Sequence, residues 1–163
     1  MSKNKIKEAL GDIKVGKILY DEPMSLHTSL GVGGKADALM IIENEDQLAR
    51  IVKRARERKI NFLPVGNLTN VIVRDGGYRG AILLMKGINE ISCQCLEDRQ
   101  YYIFAQAGAA LSKVLNRAIA EGLTGLEFCA GIPGSIGGAV WMNAGAYGKE
   151  IKDVIETVFF TRC

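Results

Sequence analysis

The sequence predicts a mixed α+β fold, and three observations lead to it. Short apolar runs typical of strands alternate with segments whose apolar residues recur at helical spacing. One such helical segment lies between apolar runs at residues 39–42 and 62–65, which is the pattern of a β-α-β unit with parallel strands. Two glycine-rich segments interrupt the pattern. At 163 residues, the chain is long enough for one domain or for two small lobes that bury apolar surface against each other.

The first half of the chain contains this β-α-β unit. Residues 3–19 carry apolar side chains at helical spacing between lysines, which predicts a short, peripheral amphipathic helix. A helix over residues 44–58 is predicted because Asn44 is a favoured N-cap, Gln47 follows three residues later, and an apolar stripe continues from there. Strands are predicted at residues 39–42, 62–65, 71–73 and 81–85, with a turn at residues 75–77.

The second half is predicted to begin near residues 86–89. A helix starts at Leu111, and Gly122 is placed to end it, since glycine is favoured just beyond a helix C-terminus. Strands are predicted around Cys93 and Cys95, at residues 101–107 and at residues 154–160.

Charge and hydropathy exclude several classes of function. The 21 basic and 18 acidic residues leave a net charge of +3, which is too small to indicate nucleic-acid binding. The basic side chains of helix 44–58 therefore predict a solvated face. No apolar run approaches the roughly 18 residues of a membrane-spanning helix, and the N-terminus lacks the apolar core of a signal peptide. We expect a cytoplasmic protein that binds neither nucleic acid nor membrane; the sequence does not predict its oligomeric state.

The cysteines indicate no metal site. They form no C-x-x-C pair, and the one histidine, His27, lies far from most of them along the chain. Reduced, buried or idle thiols are the expectation for this compartment. The four are Cys93, Cys95, Cys129 and Cys163.

Residues 131–148, GIPGSIGGAVWMNAGAYG, are the most informative segment. Glycine costs roughly 0.5–1 kcal/mol relative to alanine in a regular element, so no helix or strand is expected here. The backbone N–H groups around Gly134, Ser135, Gly137 and Gly138 are expected to be accessible to an anionic group such as a phosphate. The alternative is a surface loop that packs only on its own domain.

A second polar turn, Gly66 to Asn70, lies between the predicted strands 62–65 and 71–73. Its amide and hydroxyl groups suit neutral hydrogen bonding to a phosphate or a sugar. A P-loop is excluded because no Lys-Ser/Thr pair opens a helix here, and no GxGxxG follows a strand. The turn falls at the carboxyl end of a predicted parallel strand, where α/β sheets usually bind ligands.

Three segments resemble one enzyme family. PVGNLTNVIVRDGGYRG at residues 64–80, GIPGSIGGAVWMNAGAYGKEI at residues 131–151 and TSLGVGGKAD at residues 28–37 are similar to the FAD-binding half of the UDP-N-acetylenolpyruvoylglucosamine reductases. The resemblance implies the two-subdomain FAD-binding fold of the vanillyl-alcohol oxidase (PCMH) type, with the cofactor clasped between subdomains. It implies an N-terminal segment at 1–23, a first subdomain at 24–87 and a second at 88–163.

The resemblance also implies a function in peptidoglycan precursor synthesis, and so in cell-wall biogenesis, cell shape and division. NADPH reduces the flavin, which then reduces UDP-N-acetylglucosamine enolpyruvate to UDP-N-acetylmuramate. Asn143 and Tyr147 are candidates for the side facing this UDP-sugar, or for structural packing. The residues expected to hold FAD are Gly66, Asn67, Thr69, Asn70, Gly131, Pro133, Gly134, Ser135, Gly137, Gly138 and Ala139.

Two departures from the family pattern qualify this expectation. Leu68 stands where the family usually has a second glycine, and it is strained by about 1 kcal/mol or more if the position needs a positive φ. The family's catalytic residues and substrate-binding domain are expected beyond Cys163, and Arg162 lacks the context of the catalytic arginine. The chain alone is therefore expected to bind flavin without completing turnover.

Two alternatives remain open. One is a flavin oxidase of the same fold that acts on a small alcohol or hydroxy acid. Many such oxidases attach flavin covalently through histidine or cysteine, and the position of His27 outside both turns weighs against this alternative. A non-catalytic module would hold a nucleotide in the glycine-rich segments without redox chemistry.

Overall fold

The computed structural model describes residues 3–95 and 100–160, which form two compact units. The first extends to Ile88, and the second comprises Asn89–Phe160. The sequence placed this division near residues 86–89. Arg162 and Cys163 lie outside the described residues.

The first unit is built on a four-stranded mixed sheet in the order β1-β2-β4-β3. Strand β1 is antiparallel to β2, whereas β2 and β3 both run parallel to β4, which lies between them. The predicted strands 39–42 and 62–65 are therefore parallel but not adjacent. The bounds are α1 Lys3–Leu10, β1 Lys17–Pro23, β2 Lys35–Ile41, α2 Glu45–Glu57, β3 Phe62–Val65 and β4 Tyr78–Leu84.

The N-terminal residues differ from the prediction of one peripheral helix over 3–19. Helix α1 ends at Leu10, and Lys17–Pro23 is instead the edge strand β1. Gly11, whose added Cβ would lie 2.4 Å from the Lys7 carbonyl oxygen, follows the last helical residue. Ile6 and Leu10 are 0% and 1% exposed, because they pack in the main core with residues of β2 and α2. Residues 3–23 therefore belong to the first unit's core and sheet.

Helix α2 confirms its sequence signals. The Asn44 side chain accepts a hydrogen bond from the Gln47 N–H at 2.9 Å, and Glu45 and Asp46 lie in the first turn. Ile51 and Ala55 are fully buried on the apolar stripe. Helix α2 is therefore stabilised in three ways: by an N-cap, by acidic residues near the positive end of the helix dipole and by burial of its apolar face.

Asn44→Ala is expected to lower the free energy of unfolding by about 1 kcal/mol, because it removes the acceptor for one N–H at the start of α2. Urea unfolding followed by circular dichroism measures the change. Asn44→Asp, which keeps an acceptor oxygen, is the control and should stay within about 0.5 kcal/mol of the parent. Equal loss in both variants would contradict a capping role.

The predicted strand at 71–73 is wrong. Residues 71–74 join no ladder; the Val73 carbonyl only accepts a hydrogen bond from the Gly34 N–H at 2.8 Å. Val73 is buried in a cluster with Met24 and Ile82, while Ile72 is 62% exposed. The β-branched run is thus explained by packing of alternate side chains rather than by strand pairing.

The second unit contains an antiparallel pair, β5 and β6, followed by two helices and a short hairpin. Gly122, with φ of 68°, ends helix α3 as predicted, and the next N–H, of Leu123, bonds the Ala118 carbonyl at 2.9 Å. A small core contains Leu111, Phe128 and Ile151. The bounds are β5 Ile91–Cys95, β6 Tyr101–Ala105, α3 Leu111–Ala120, α4 Ile136–Met142, β7 Gly145–Ala146 and β8 Lys149–Glu150.

The predicted strand at 154–160 is also wrong. Residues 155–160 pair with no strand among the described residues. Phe159 is 81% exposed, and its ring lies 6.5 Å from that of Phe104 in β6. Of the helices in the described ranges, none is long and apolar enough to cross a bilayer.

Candidate functional site

The first glycine-rich turn begins directly after β3. Parallel strands present their carboxyl ends at one edge of a sheet, which is the usual ligand edge in α/β folds. Within residues 3–95 and 100–160, the N–H groups of Gly66, Asn67 and Leu68 have no hydrogen-bond acceptor. Asn67 and Asn70 are exposed, and Thr69 is half-buried. The turn therefore offers three successive backbone donors and two exposed amides to a ligand.

Leu68 confirms the backbone requirement inferred for its position. Its φ is 54°, in the left-handed region that costs a non-glycine residue about 1 kcal/mol or more. Its side chain is only 4% exposed and packs in the cluster of Met24 and Val73. The leucine therefore retains a glycine-like backbone while filling a core position.

The second glycine-rich segment contains a helix, which contradicts the expectation of irregular structure throughout. Helix α4 begins after Ser135, whose hydroxyl accepts a hydrogen bond from the Gly138 N–H at 3.3 Å. It ends at Asn143, which adopts the left-handed conformation with φ of 46°. Capping at both ends, together with burial of Ala139, offsets the low helix propensity of the glycines.

The expected run of accessible N–H groups is only partly present. The Ile136 and Gly137 N–H groups donate to the carbonyls of Ala109 and Ala107, both at 2.8 Å. Because the Gly138 N–H bonds the Ser135 hydroxyl, neither helical glycine offers a backbone donor. Among the described residues, the N–H groups of Gly134 and Ser135 have no acceptor. The N–H groups without an internal acceptor thus precede α4, and of their residues Gly134 is partly exposed whereas Ser135 is 1% exposed.

The two adjacent glycines of α4 differ in what surrounds them. A Cβ added at Gly137 would lie 2.9 Å from the Ala107 Cβ, so close packing explains this glycine. A Cβ added at Gly138 would meet only the Ser135 hydroxyl, at an ordinary 3.5 Å, and Gly138 is exposed. No neighbour among the described residues requires glycine at position 138, although alanine would favour the helix by roughly 0.5–1 kcal/mol. Close approach of a ligand would explain it.

The remaining cofactor candidates surround these donors. Gly134 has φ of 139°, a conformation open essentially only to glycine, and its carbonyl accepts the Leu111 N–H at 3.0 Å. Gly131 and Pro133 are exposed, and an added Cβ at Gly131 would meet no atom within 4 Å. Ala139 is buried in the unit's core.

Asn143 is held by two internal hydrogen bonds. Its side-chain amide donates to the Glu150 carboxylate at 3.0 Å, and its side-chain oxygen accepts the Lys152 N–H at 3.2 Å. Lys152 also contacts Glu150, and these two partners lower the pKa of the Glu150 carboxyl. Asn143 therefore links the end of α4 to the segment after the hairpin.

Tyr147 is exposed in a strained turn. It and Gly148 form the two-residue connection of the β7–β8 hairpin, and both have positive φ, as a type I′ turn requires. Tyr147 is 91% exposed, and it lines a cavity of about 310 Å³ together with Glu127, Phe128 and Lys149. An exposed aromatic in the left-handed region has no structural explanation in this hairpin, which marks it as a functional candidate.

Sequence reasoning missed two residues near these segments. The Ser29 N–H donates to the Leu68 carbonyl at 3.3 Å, and within the TSLGVGGKAD block no sequence signal distinguishes this residue. Trp141 is 87% exposed and follows Gly138 by three residues, so the two share one face of α4. Its being the lone tryptophan, inside the glycine-rich segment, was the available signal.

Other features carry no comparable site. A larger cavity of about 730 Å³ lies between α2 and the segment that follows α1. Its lining carries both charges, including Asp12, Arg50 and Arg54, but contains no predicted site residue. Burial raises the pKa of the Cys129 thiol. No group of three potential metal-binding side chains occurs in the part of the chain that is described.

Comparison with known proteins gives this geometry its context. A family model described as an FAD binding domain matches residues 36–161. The UDP-N-acetylenolpyruvoylglucosamine reductase of Syntrophus aciditrophicus (strain SB) is 46% identical over 153 residues, which cover 94% of this chain and 49% of that protein. The chain thus spans about half the length of the curated relatives it matches.

Solved structures agree with the predicted fold. The UDP-N-acetylenolpyruvylglucosamine reductase of Thermus caldophilus superposes with a TM-score of 0.61 at 29% identity, covering 82% of this chain and 44% of that one. Cholesterol oxidase from B. sterolicum, at 19% identity and a TM-score of 0.57, covers 80% of this chain and 25% of that one, and shares the fold alone. The PCMH-type fold and the resemblance seen in the sequence are confirmed, and the chain belongs to the FAD binding domain family.

Proposed function

We propose that this chain is the FAD-binding part of a UDP-N-acetylenolpyruvoylglucosamine reductase. The whole enzyme would use NADPH to reduce UDP-N-acetylglucosamine enolpyruvate to UDP-N-acetylmuramate, in the cytoplasm, as a step of peptidoglycan synthesis that supports cell shape and division. The observation that supports this most strongly is 46% identity to a reductase over 94% of the chain.

The residues present fit FAD in the kind of contact they offer. A dinucleotide brings phosphate oxygens, which need donors, and the N–H groups of Gly66, Asn67, Leu68, Gly134 and Ser135 lack acceptors within the described chain. Backbone donors of this kind hold phosphates without a lysine or an arginine. When bound, the flavin supplies the capacity to accept a hydride from NADPH and to pass it to the substrate.

The geometry supports separate roles for the residues of the second segment. We assign Gly134 and Ser135 to phosphate binding, and Gly138 to leaving space for the cofactor rather than to donating an N–H. Gly137 and Ala139 support α4 by packing, and Asn143 holds the end of that helix. From the first turn, Thr69 and Asn70 would add a hydroxyl and an amide to the backbone donors. Gly131 and Pro133 remain candidates for contact with the cofactor.

Tyr147 is proposed to face the UDP-sugar, and its turn makes the role testable. Tyr147→Asn is expected to raise the free energy of unfolding by up to about 1 kcal/mol, since asparagine tolerates the left-handed region. In the complete, FAD-loaded protein that carries this chain, the same change should weaken binding of UDP-N-acetylglucosamine enolpyruvate by about tenfold, measured by calorimetry. Tyr147→Phe keeps the aromatic ring but removes the hydroxyl, so its affinity shows how much the hydroxyl contributes. If Tyr147→Asn does not change the affinity for the UDP-sugar, the proposed contact is contradicted and Tyr147 has a role only in the turn.

The proposed activity is tested in the complete protein that carries this chain. NADPH should be oxidised only when UDP-N-acetylglucosamine enolpyruvate is supplied, with absorbance of NADPH as the measurement. Rapid oxygen-dependent turnover of a small alcohol, without need for the sugar nucleotide, would instead identify a flavin oxidase. A protein that takes up no FAD would support a module without redox chemistry.

A further inference from the structure

Leu68 combines two features that are seldom found in one residue. Its backbone lies in the left-handed region, with φ of 54°, where a branched side chain is unfavourable. Its side chain is nevertheless 4% exposed. A residue that is both strained and buried is held in place by its surroundings, and such residues concentrate at binding sites.

The side chain of Leu68 is held by an apolar cluster beneath the turn. The cluster joins Met24, which is fully buried, and Val73 to the sheet residues Leu39 and Ile82. Leu68 is the member of this cluster that lies inside the Gly66–Asn70 turn, since Val65 precedes the turn and Val73 follows it. Its burial therefore ties the middle of the turn to the sheet.

The backbone of Leu68 is tied to a second segment. Its carbonyl accepts the Ser29 N–H at 3.3 Å, and the carbonyl of Val73, beyond the turn, accepts the Gly34 N–H at 2.8 Å. The loop between these donors is itself braced, because the Thr28 hydroxyl donates to the Val32 carbonyl at 2.7 Å. The loop of residues 24–34 thus bonds the chain at Leu68, inside the turn, and at Val73, three residues beyond the turn.

We propose that Leu68 is a positioning residue, an anchor that fixes the Gly66–Asn70 turn so that its N–H groups without internal acceptors among the described residues form a ready phosphate site. This inference rests on the proposed FAD function for the consequence, but not for the anchoring itself. With glycine at this position, the turn would keep the same φ without strain, but no side chain would hold its centre against the sheet. The buried leucine side chain therefore restricts the backbone of the turn to one conformation.

Hydrogen exchange of the FAD-free chain tests the anchoring. Leu68→Ala keeps the left-handed strain and removes the anchor, so exchange at the Ser29 amide should rise at least about tenfold relative to the Gly34 amide. Leu39→Ala alters the same cluster but within β2, so it should change the exchange rates of both amides by a similar factor and leave their ratio unchanged. Leu68→Met should restore the parent ratio, because methionine fills the same space. An unchanged ratio in Leu68→Ala overturns the inference.

FAD titration of the same variants tests the consequence. Leu68→Ala should weaken FAD binding at least about tenfold, while Leu39→Ala, folded under the same conditions, should stay within about twofold of the parent. If both variants weaken FAD binding equally, Leu68 contributes only as a core residue, and the positioning role is overturned. If the Ser29 ratio shifts but the parent chain binds no FAD, the FAD assignment fails and the anchoring of the turn stands.

Discussion

Gly138→Val is expected to weaken FAD binding by at least about 100-fold, or roughly 2.7 kcal/mol, while the FAD-free chain unfolds as the parent does. The chain leaves open space at this position, because an added Cβ would meet only the Ser135 hydroxyl at 3.5 Å. New methyl groups would therefore occupy volume that we assign to the cofactor. Fluorescence of FAD, titrated with chain, measures the affinity, and thermal unfolding measures the stability.

Two variants act as controls for this prediction. Gly76 is also exposed, and an added Cβ there would meet no atom within 4 Å, so Gly76→Val should leave FAD affinity unchanged. Gly137→Ala, unlike Gly138→Val, should destabilise the FAD-free chain. Its Cβ would lie 2.9 Å from that of Ala107, which costs about 1–3 kcal/mol of stability. If Gly138→Val destabilises the FAD-free chain as much as Gly137→Ala does, a packing role explains both glycines.

Arg79→Met is expected to lower the free energy of unfolding by about 3 kcal/mol. The Arg79 guanidinium lies 3.0 Å from a carboxylate oxygen of Asp37, a side chain only 3% exposed at an irregular point in the β2–β4 register. The other Asp37 oxygen has no hydrogen-bond partner among the described residues. Removing the arginine would leave a buried charge without its ion pair, which costs far more than a surface pair contributes.

The double variant Asp37→Ala with Arg79→Met distinguishes this cause from loss of arginine packing. It removes the buried charge together with its partner, and it should therefore be more stable than Arg79→Met alone. Guanidinium unfolding of the parent and the three variants gives the coupling free energy. A double variant less stable than both single variants, or an Arg79→Met loss below about 0.5 kcal/mol, would contradict the assignment.

Local signals in the sequence were sufficient where one element contains all its own determinants. Helix α2 was predicted from Asn44, Gln47 and the apolar stripe, and each of these acts within the helix. The same reasoning failed at residues 71–73 and 154–160, because β-branched and aromatic runs do not specify a pairing partner. Helix α4 was not predicted, because the glycine content of residues 131–148 indicated irregular structure, and the Ser135 cap is evident only in the structure.

The candidate site was predictable in position but not in detail. Glycine content located both segments, and the departure from the family pattern at Leu68 correctly pointed to a positive φ. Which N–H groups stay available could not be predicted, since it depends on the carbonyls of Ala107 and Ala109, distant in sequence. The same holds for the contrast between Gly137 and Gly138, because only tertiary packing places Ala107 against one of them.

The central claim is that this chain binds FAD through the glycine-rich segments, and equilibrium binding of FAD to the 163-residue chain tests it most directly. We predict stoichiometric binding that shifts the visible absorption bands of oxidised flavin and is released as intact FAD on denaturation. The binding should be lost in Gly138→Val and retained in Gly76→Val. Absence of binding by the folded parent chain, or equal binding by Gly138→Val and the parent, would contradict it.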